Sequence, residues 1–189
     1  MHLYRGTTTS FIGDATRGRI AAVLADRFFE QYRYRPTPSE VHSWQNSLAA
    51  MAHVIQLAAL EEQGVLVELQ LPLTSKRLDC LITGRRDGKD STALIELKQW
   101  DWVAPSPTPE CVMTTLGGRD RDALHPSVQA SRYERYLLDT HPAYGDGGVS
   151  VASCAYLHNL PRAKAGALME AKFADVIART PAFPADDLD

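Results

Sequence analysis

The hydrophobic pattern of the chain first changes period at Gly64, and that change confines it to folds combining helices with a sheet. Before Gly64, apolar residues recur at three and four positions. Ile20, Val23, Leu24 and Phe28, with Arg27 and Gln31 beside them, mark a helix beginning after Thr16. Pro36 and Pro38 interrupt it, and Thr37 or Ser39 can cap a second helix. That helix is expected from about Ser39 to Glu62, with Val41, Trp44, Leu48, Met51 or Ala52, Ile55 and Ala59 inward and Gly64 as its stop.

After Gly64 the period is two. Val65–Leu71, Arg77–Thr83 and Thr92–Lys98 read as three strands, and the two short turns between them predict an antiparallel meander. About 25 residues punctuated by Pro and Gly follow, too long for an ordinary connection and so a candidate functional loop, with room for a hairpin around Cys111–Leu116. A helix is expected from His125-Pro126 to Thr140, with Pro at its first position. Gly147-Gly148 precede a buried strand of small residues, Val149–Tyr156, and Ala163–Thr180 reads as a last helix. The expected order is α-α-β-β-β-α-β-α, an α/β chain with one domain over residues 1–180 and a tail or linker over 181–189.

Composition narrows the function classes. The 189 residues suffice for a core without disulfides or a structural metal. Twenty Lys and Arg stand against 23 Asp and Glu, a net charge of −3, so any contact with nucleic acid must come from a local basic patch. Three scattered cysteines, Cys80, Cys111 and Cys154, contain no CxxC pair; they exclude a disulfide framework and a simple zinc ribbon, and fit a reducing cytoplasm. The longest mostly apolar stretch, Ser47–Leu60, is too short to cross a bilayer, so no membrane partner is expected, and the first ten residues lack the apolar region of a signal peptide.

Strand parity gives the chemical lead. Leu94, Glu96 and Lys98 share one face of their strand, and Arg77, Asp79 and Leu81 share one face of theirs. If these strands pair across the turn at Arg85–Asp90, Asp79 lies beside Glu96. Two adjacent carboxylates repel unless a cation sits between them, and a divalent metal with oxygen ligands resolves that conflict. A lysine two residues beyond the second carboxylate can hold a water or offset developing charge, the set that metal-assisted phosphodiester hydrolysis requires. The same residues also suit a wet outer strand face on which Asp79 pairs with Lys98 or Arg77.

Arg77-Leu-Asp79 on one strand and Ile95-Glu96-Leu-Lys98 on the next resemble the PD-(D/E)XK nuclease superfamily, the restriction-endonuclease-like fold. The element order over about residues 39–157 resembles its α-β-β-β-α-β core, a mixed sheet flanked by helices, here with an extra N-terminal and a C-terminal helix. Leu78 stands where the motif carries proline. Gln129-Ala-Ser-Arg-Tyr133 is similar to the family's QxxxY motif, and the i, i+4 spacing puts both side chains on one helix face. Further strings, Glu40–Leu48, Leu71–Asp79, Ile95–Trp100, His125–Gln129 and Ala155–Asn159, resemble the nuclease-like module preceding a Schlafen-type superfamily I helicase in bacterial proteins. No GxxxxGK[ST] phosphate loop occurs, so a helicase would act in cis from a longer protein or in trans; the Pro- and Asp-rich end suits the first.

The resemblance implies a nuclease acting on DNA more than RNA. Asp79 and Glu96, with the Leu97 carbonyl and Glu40, would hold Mg2+, for which Mn2+ would substitute. Lys98 would orient water, and Gln129 and Tyr133 would position substrate. Glu40 is equally explained as a first-turn acid favourable to the helix dipole, and Glu68 is an alternative third carboxylate. His125 suits helix capping and packing as well as substrate contact, and His158-Asn159 suits a turn. Trp100 and Trp102 can stack on a base or pack a loop. Arg85, Arg86, Lys89, Arg119 and Arg121 are the candidate phosphate contacts, and Cys80 and Cys154 are expected as buried thiols. The alternative function is a nucleic-acid-binding or adaptor module of the same fold that does not cleave.

Overall fold

A computed structural model describes residues 1–145 and 147–187. The chain divides into two compact units, Met1–Gly88 and Lys89–Asp189. The first contains β1 (Tyr4–Thr7), α1 (Thr8–Thr16), α2 (Ile20–Tyr32), α3 (Pro38–Leu57), β2 (Gly64–Gln70) and β3 (Arg77–Arg86). Its strands run antiparallel in the order β1-β2-β3, with Val67 opposite Tyr4 and Cys80. Phe11, Leu24, Phe28, Trp44, Leu48 and Ile55 bury the inner faces of the three helices.

Neither β1 nor α1 is expected from the pattern of the first sixteen residues. They are set by local chemistry. Thr7 caps α1, its hydroxyl accepting from the Ser10 amide while Ser10 Oγ accepts from the Thr7 amide, a reciprocal capping box in which serine replaces the usual Glu or Gln. Helix α3 stops at Leu57, five residues before the expected end at Glu62. Its inward stripe ends at Ile55; Ala59 is exposed and takes a left-handed φ of 50°, so nothing apolar draws the helix further.

Gly64 opens β2 for a steric reason. A Cβ there would lie 2.4 Å from Thr83 Oγ1 on the neighbouring strand. Gly64→Ala is therefore expected to destabilise the protein by about 1–3 kcal/mol through overpacking, and Thr83→Ala in the same chain should restore most of the loss. Urea melts of the four proteins of this cycle check it; a double mutant no better than Gly64→Ala alone would reject the cause.

The second unit contains β4 (Lys89–Lys98), β5 (Ala104–Pro105), β6 (Cys111–Leu116), β7 (Arg119–Leu124), α4 (Pro126–Thr140), α5 (Pro142–Gly145), β8 (Val149–Leu157), α6 (Ala174–Arg179) and β9 (Ala182–Pro184). Strands β4, β8 and β9 are parallel, with Glu96 opposite Ala155 and Ala155 opposite Ala182. Val112, Leu157, Leu160, Leu168 and Phe173 form a buried core. The long connection after β4 folds into its own antiparallel sheet, β5-β6-β7. Its hairpin turns at Gly117 and Gly118, both left-handed, the conformation a two-residue hairpin loop demands and glycine supplies without strain.

Two departures concern the C-terminal stretch. The continuous helix expected over Ala163–Thr180 is instead three short 3-10 turns followed by α6. Ala165, Ala167, Leu168 and Phe173 are buried, a spacing that no single helical stripe can present to one core. Ala182–Pro184, within the expected tail, pairs with Ala155–Leu157, and the Ala185 amide donates to the Leu160 carbonyl; residues 188 and 189 lie outside the described residues. At the coarse level the chain is mixed α/β, with antiparallel strands and helices in one unit and parallel strands, a small antiparallel sheet and helices in the other. Among the described residues no helix is long and apolar enough to cross a membrane.

Candidate functional site

In the second unit, β4 and α4 bring four of the expected site residues together. Strand alternation places Thr92, Leu94 and Glu96 on one face of β4, all three are buried, and Glu96 is 1% exposed. A buried carboxylate is tolerated only when charge and hydrogen bonds compensate it. Lys98, two residues on and so on the same face, supplies the charge: its Nζ is 2.6 Å from Glu96 Oε1. Gln129 from α4 completes the group. Its Nε2 donates to Glu96 Oε1 at 2.6 Å, and its Oε1 accepts from Lys98 Nζ at 3.1 Å. One helical turn later Tyr133, also buried, accepts from Gln129 Nε2 at 3.2 Å. Lys98 Nζ also lies 5.6 Å from the centroid of the Trp100 ring, within cation–π range. Lys98 thus sits in a fixed position, held by a carboxylate, an amide and an aromatic face.

The position of α4 depends on His125. This residue is fully buried; its Nδ1 accepts from the Ser127 amide and its Nε2 faces the Leu168 carbonyl at 3.1 Å. Burial pushes its pKa down to about 4, so the ring is neutral and carries one N–H, which the Leu168 carbonyl accepts. His125 is a helix cap. At the far end of β4, the Asn159 side chain donates to the Gln99 carbonyl, and His158 faces Asn159 Oδ1, which ties down the turn after β8.

In the first unit a second polar group gathers around Arg77 of β3. Its Nε lies 2.9 Å from Glu68 Oε2, and its terminal nitrogen bonds Glu40 Oε1. Trp44 Nε1 donates to Glu68 Oε1 at 2.7 Å, and the guanidinium stands 5.3 Å from the Phe28 ring centroid. Glu40 and Trp44 reach this group because they are one turn apart on α3. Glu68 sits in β2 with φ of 53°, between the paired positions Val67↔Cys80 and Leu69↔Leu78, so Asp79 is the residue across from it. Left-handed backbone is rare for a residue with a side chain, and such strain concentrates at functional sites. Burial, then the charge of Asp79, pushes the Glu68 pKa up to about 7 against the pull of Arg77 and Trp44.

These contacts correct the expected metal centre. Among the described residues no group of three or more His, Cys, Asp or Glu side chains is placed to hold a metal ion. The Mg2+ or Mn2+ site expected on Asp79, Glu96, the Leu97 carbonyl and Glu40 is not formed. The chain's own cations take the role given to the metal: Arg77 bridges Glu40 and Glu68, and Lys98 neutralises Glu96. Leu97 is a buried strand residue opposite Tyr156, and Asp79 is half-buried on β3 beside Glu68.

The remaining candidates separate by environment. Trp102 packs the loop, donating to Thr115 Oγ1 at 2.8 Å. Arg85, Arg86, Lys89, Arg119 and Arg121 are exposed, as a phosphate contact or a solvated surface equally requires. Cys80 is fully buried, and burial pushes the Cys154 thiol up to about 11, which leaves Cys154 without a reactive thiolate. Sequence reasoning missed the Arg77 bridge. Its signal was available in parity, since Leu66, Glu68 and Gln70 share a face of β2 as Arg77 and Asp79 share one of β3. No family model, no curated protein and no solved structure matches the chain.

Proposed function

We propose that the chain is a nuclease-like domain of the restriction-endonuclease-like kind, that it hydrolyses phosphodiester bonds in DNA in preference to RNA, and that it serves a helicase module in cis or in trans. The observation that carries this reading is the closed network of Glu96, Lys98, Gln129 and Tyr133. These are the Glu-x-Lys and QxxxY residues, and they come from separate elements to one place. Attack on a phosphodiester builds negative charge on the non-bridging oxygens, and a fixed cation that need not reorganise lowers that barrier. Lys98 supplies it, Glu96 and Gln129 hold it, and Gln129 with Tyr133 offers polar groups to orient a phosphate or base.

One observation favours a second reading, a module that binds nucleic acid without cutting it. Lys98 and Gln129 already engage Oε1 of the Glu96 carboxylate, and an ion pair held in this way also serves as a structural element. Incubation of the protein with end-labelled single- and double-stranded DNA and RNA separates the two. Shortened DNA products support hydrolysis; bound but intact strands establish the second reading.

A further inference from the structure

Helix α4 presents a second polar stripe. Val128, Ser131, Arg132 and Arg135 stand at i, i+3, i+4 and i+7, on a face adjacent to that of Gln129 and Tyr133. They line an open pocket of about 310 Å3 together with Glu110, Lys172, Phe173, Asp175, Val176 and Arg179. This volume is at the small end of ligand sites, which run from roughly 300 to 1,000 Å3. Its floor is apolar, from Val128 and Phe173, both buried, and the half-buried Val176. Its rim holds four cations against two carboxylates.

The cations differ in how far the protein already uses them. Lys172 donates to the carbonyls of Ser106 and Cys111 and pairs with Glu170 at 3.3 Å, so it is a structural tie. Arg132 pairs with Glu110 at 2.6 Å. Arg135 reaches Asp139 only at 3.7 Å with both side chains largely exposed, a pairing of little energetic consequence. Arg179 donates to the backbone carbonyl of Asp175 and makes no ion pair among the described residues. Two guanidinium groups thus stand at an apolar-floored pocket with donors to spare. Arginine's planar fork matches phosphate oxygens in pairs and its face stacks on bases.

We propose that this pocket is a nucleotide site, with Arg135 and Arg179 taking the phosphate and the Val128–Phe173–Val176 floor taking the sugar or base. The nucleotide is a unit of a strand or a free mononucleotide; both present the same chemistry. The proposal extends the nucleic-acid reading above but is tested by binding, so the presence or absence of cleavage does not decide it.

The test is fluorescence anisotropy of a short labelled single-stranded DNA across a salt series, with adenosine monophosphate as competitor. Arg135→Glu/Arg179→Glu should weaken binding at least about tenfold and reduce the salt slope by between about 1 and 2, the share of two phosphate contacts on a single strand. Arg27→Glu/Arg35→Glu, the same charge change at exposed positions of α2 and the segment after it, should do neither. Competition by the mononucleotide, lost in the pocket variant, assigns the site to a free nucleotide; strand binding without such competition assigns it to a strand. Equal affinity and equal salt slope in the pocket variant and the wild type would overturn the proposal, as would equal losses in both charge-reversal pairs. A wild type that cuts DNA while the pocket variant binds normally removes the pocket and leaves the hydrolase; a wild type that binds through the pocket without cutting does the reverse.

Discussion

On the proposed function, Lys98→Ala should lower the rate of DNA cleavage by at least about a hundredfold, the scale of losing one fixed electrostatic stabiliser. The ammonium is held 2.6 Å from Glu96 Oε1 and 3.1 Å from Gln129 Oε1. Its orientation is therefore settled before substrate arrives. Charge that appears only in the transition state gains from it, whereas ground-state DNA meets one cation among several, so the loss falls on kcat and only slightly on affinity. The substitution also leaves a 1% exposed carboxylate without its ion-pair partner. Removing one member of a buried pair costs about 3–5 kcal/mol when the other stays charged. Single-turnover rates must therefore be taken well below the melting temperature of each variant. Glu96→Gln/Lys98→Gln removes both charges and so most of that penalty, and should be no more active than Lys98→Ala. A stable double variant that still cuts at the wild-type rate would move the chemistry away from this cluster.

The parts of this molecule that were legible in sequence share a physical cause. Helices α2, α3 and α4 bury an apolar stripe, and strands β2, β3, β4 and β8 carry apolar alternations or short apolar runs, so each writes a pattern into the chain. The Glu96, Lys98, Gln129 and Tyr133 group was legible for the same reason, since parity on a strand and i, i+4 spacing on a helix fix which side chains can meet. What was illegible writes no period. Helix α1 depends on a hydroxyl pair at Thr7 and Ser10, and β9 is three residues long. The stretch from Arg162 to Phe173 buries its residues through 3-10 turns. The metal expectation failed for another reason. Spacing shows that carboxylates share a face but not what neutralises them, and here guanidinium and ammonium groups do so.

Glu68 should make the protein less stable as pH rises from 4.5 to about 7, by up to about 3 kcal/mol. The sign follows from proton binding. Burial and the charge of Asp79 raise the Glu68 pKa from 4.5 to about 7 in the folded protein. Within that window the folded state holds a proton that the unfolded chain has released, so the slope of stability against pH is negative. The full benefit of the protonated form is present below 4.5 and is lost as pH climbs through the folded value. Other carboxylates add their own pH dependence, and the informative quantity is the difference between wild type and Glu68→Gln. Glutamine keeps the acceptor for Trp44 Nε1 and cannot ionise, so the wild type should lose stability relative to it across the window. Urea melts of both proteins between pH 4.5 and about 8 measure that difference, and parallel curves would place the Glu68 titration elsewhere. A carboxylate kept near neutrality, in left-handed backbone at φ 53° and fixed by Arg77 and Trp44, is costly twice over, in strain and in charge.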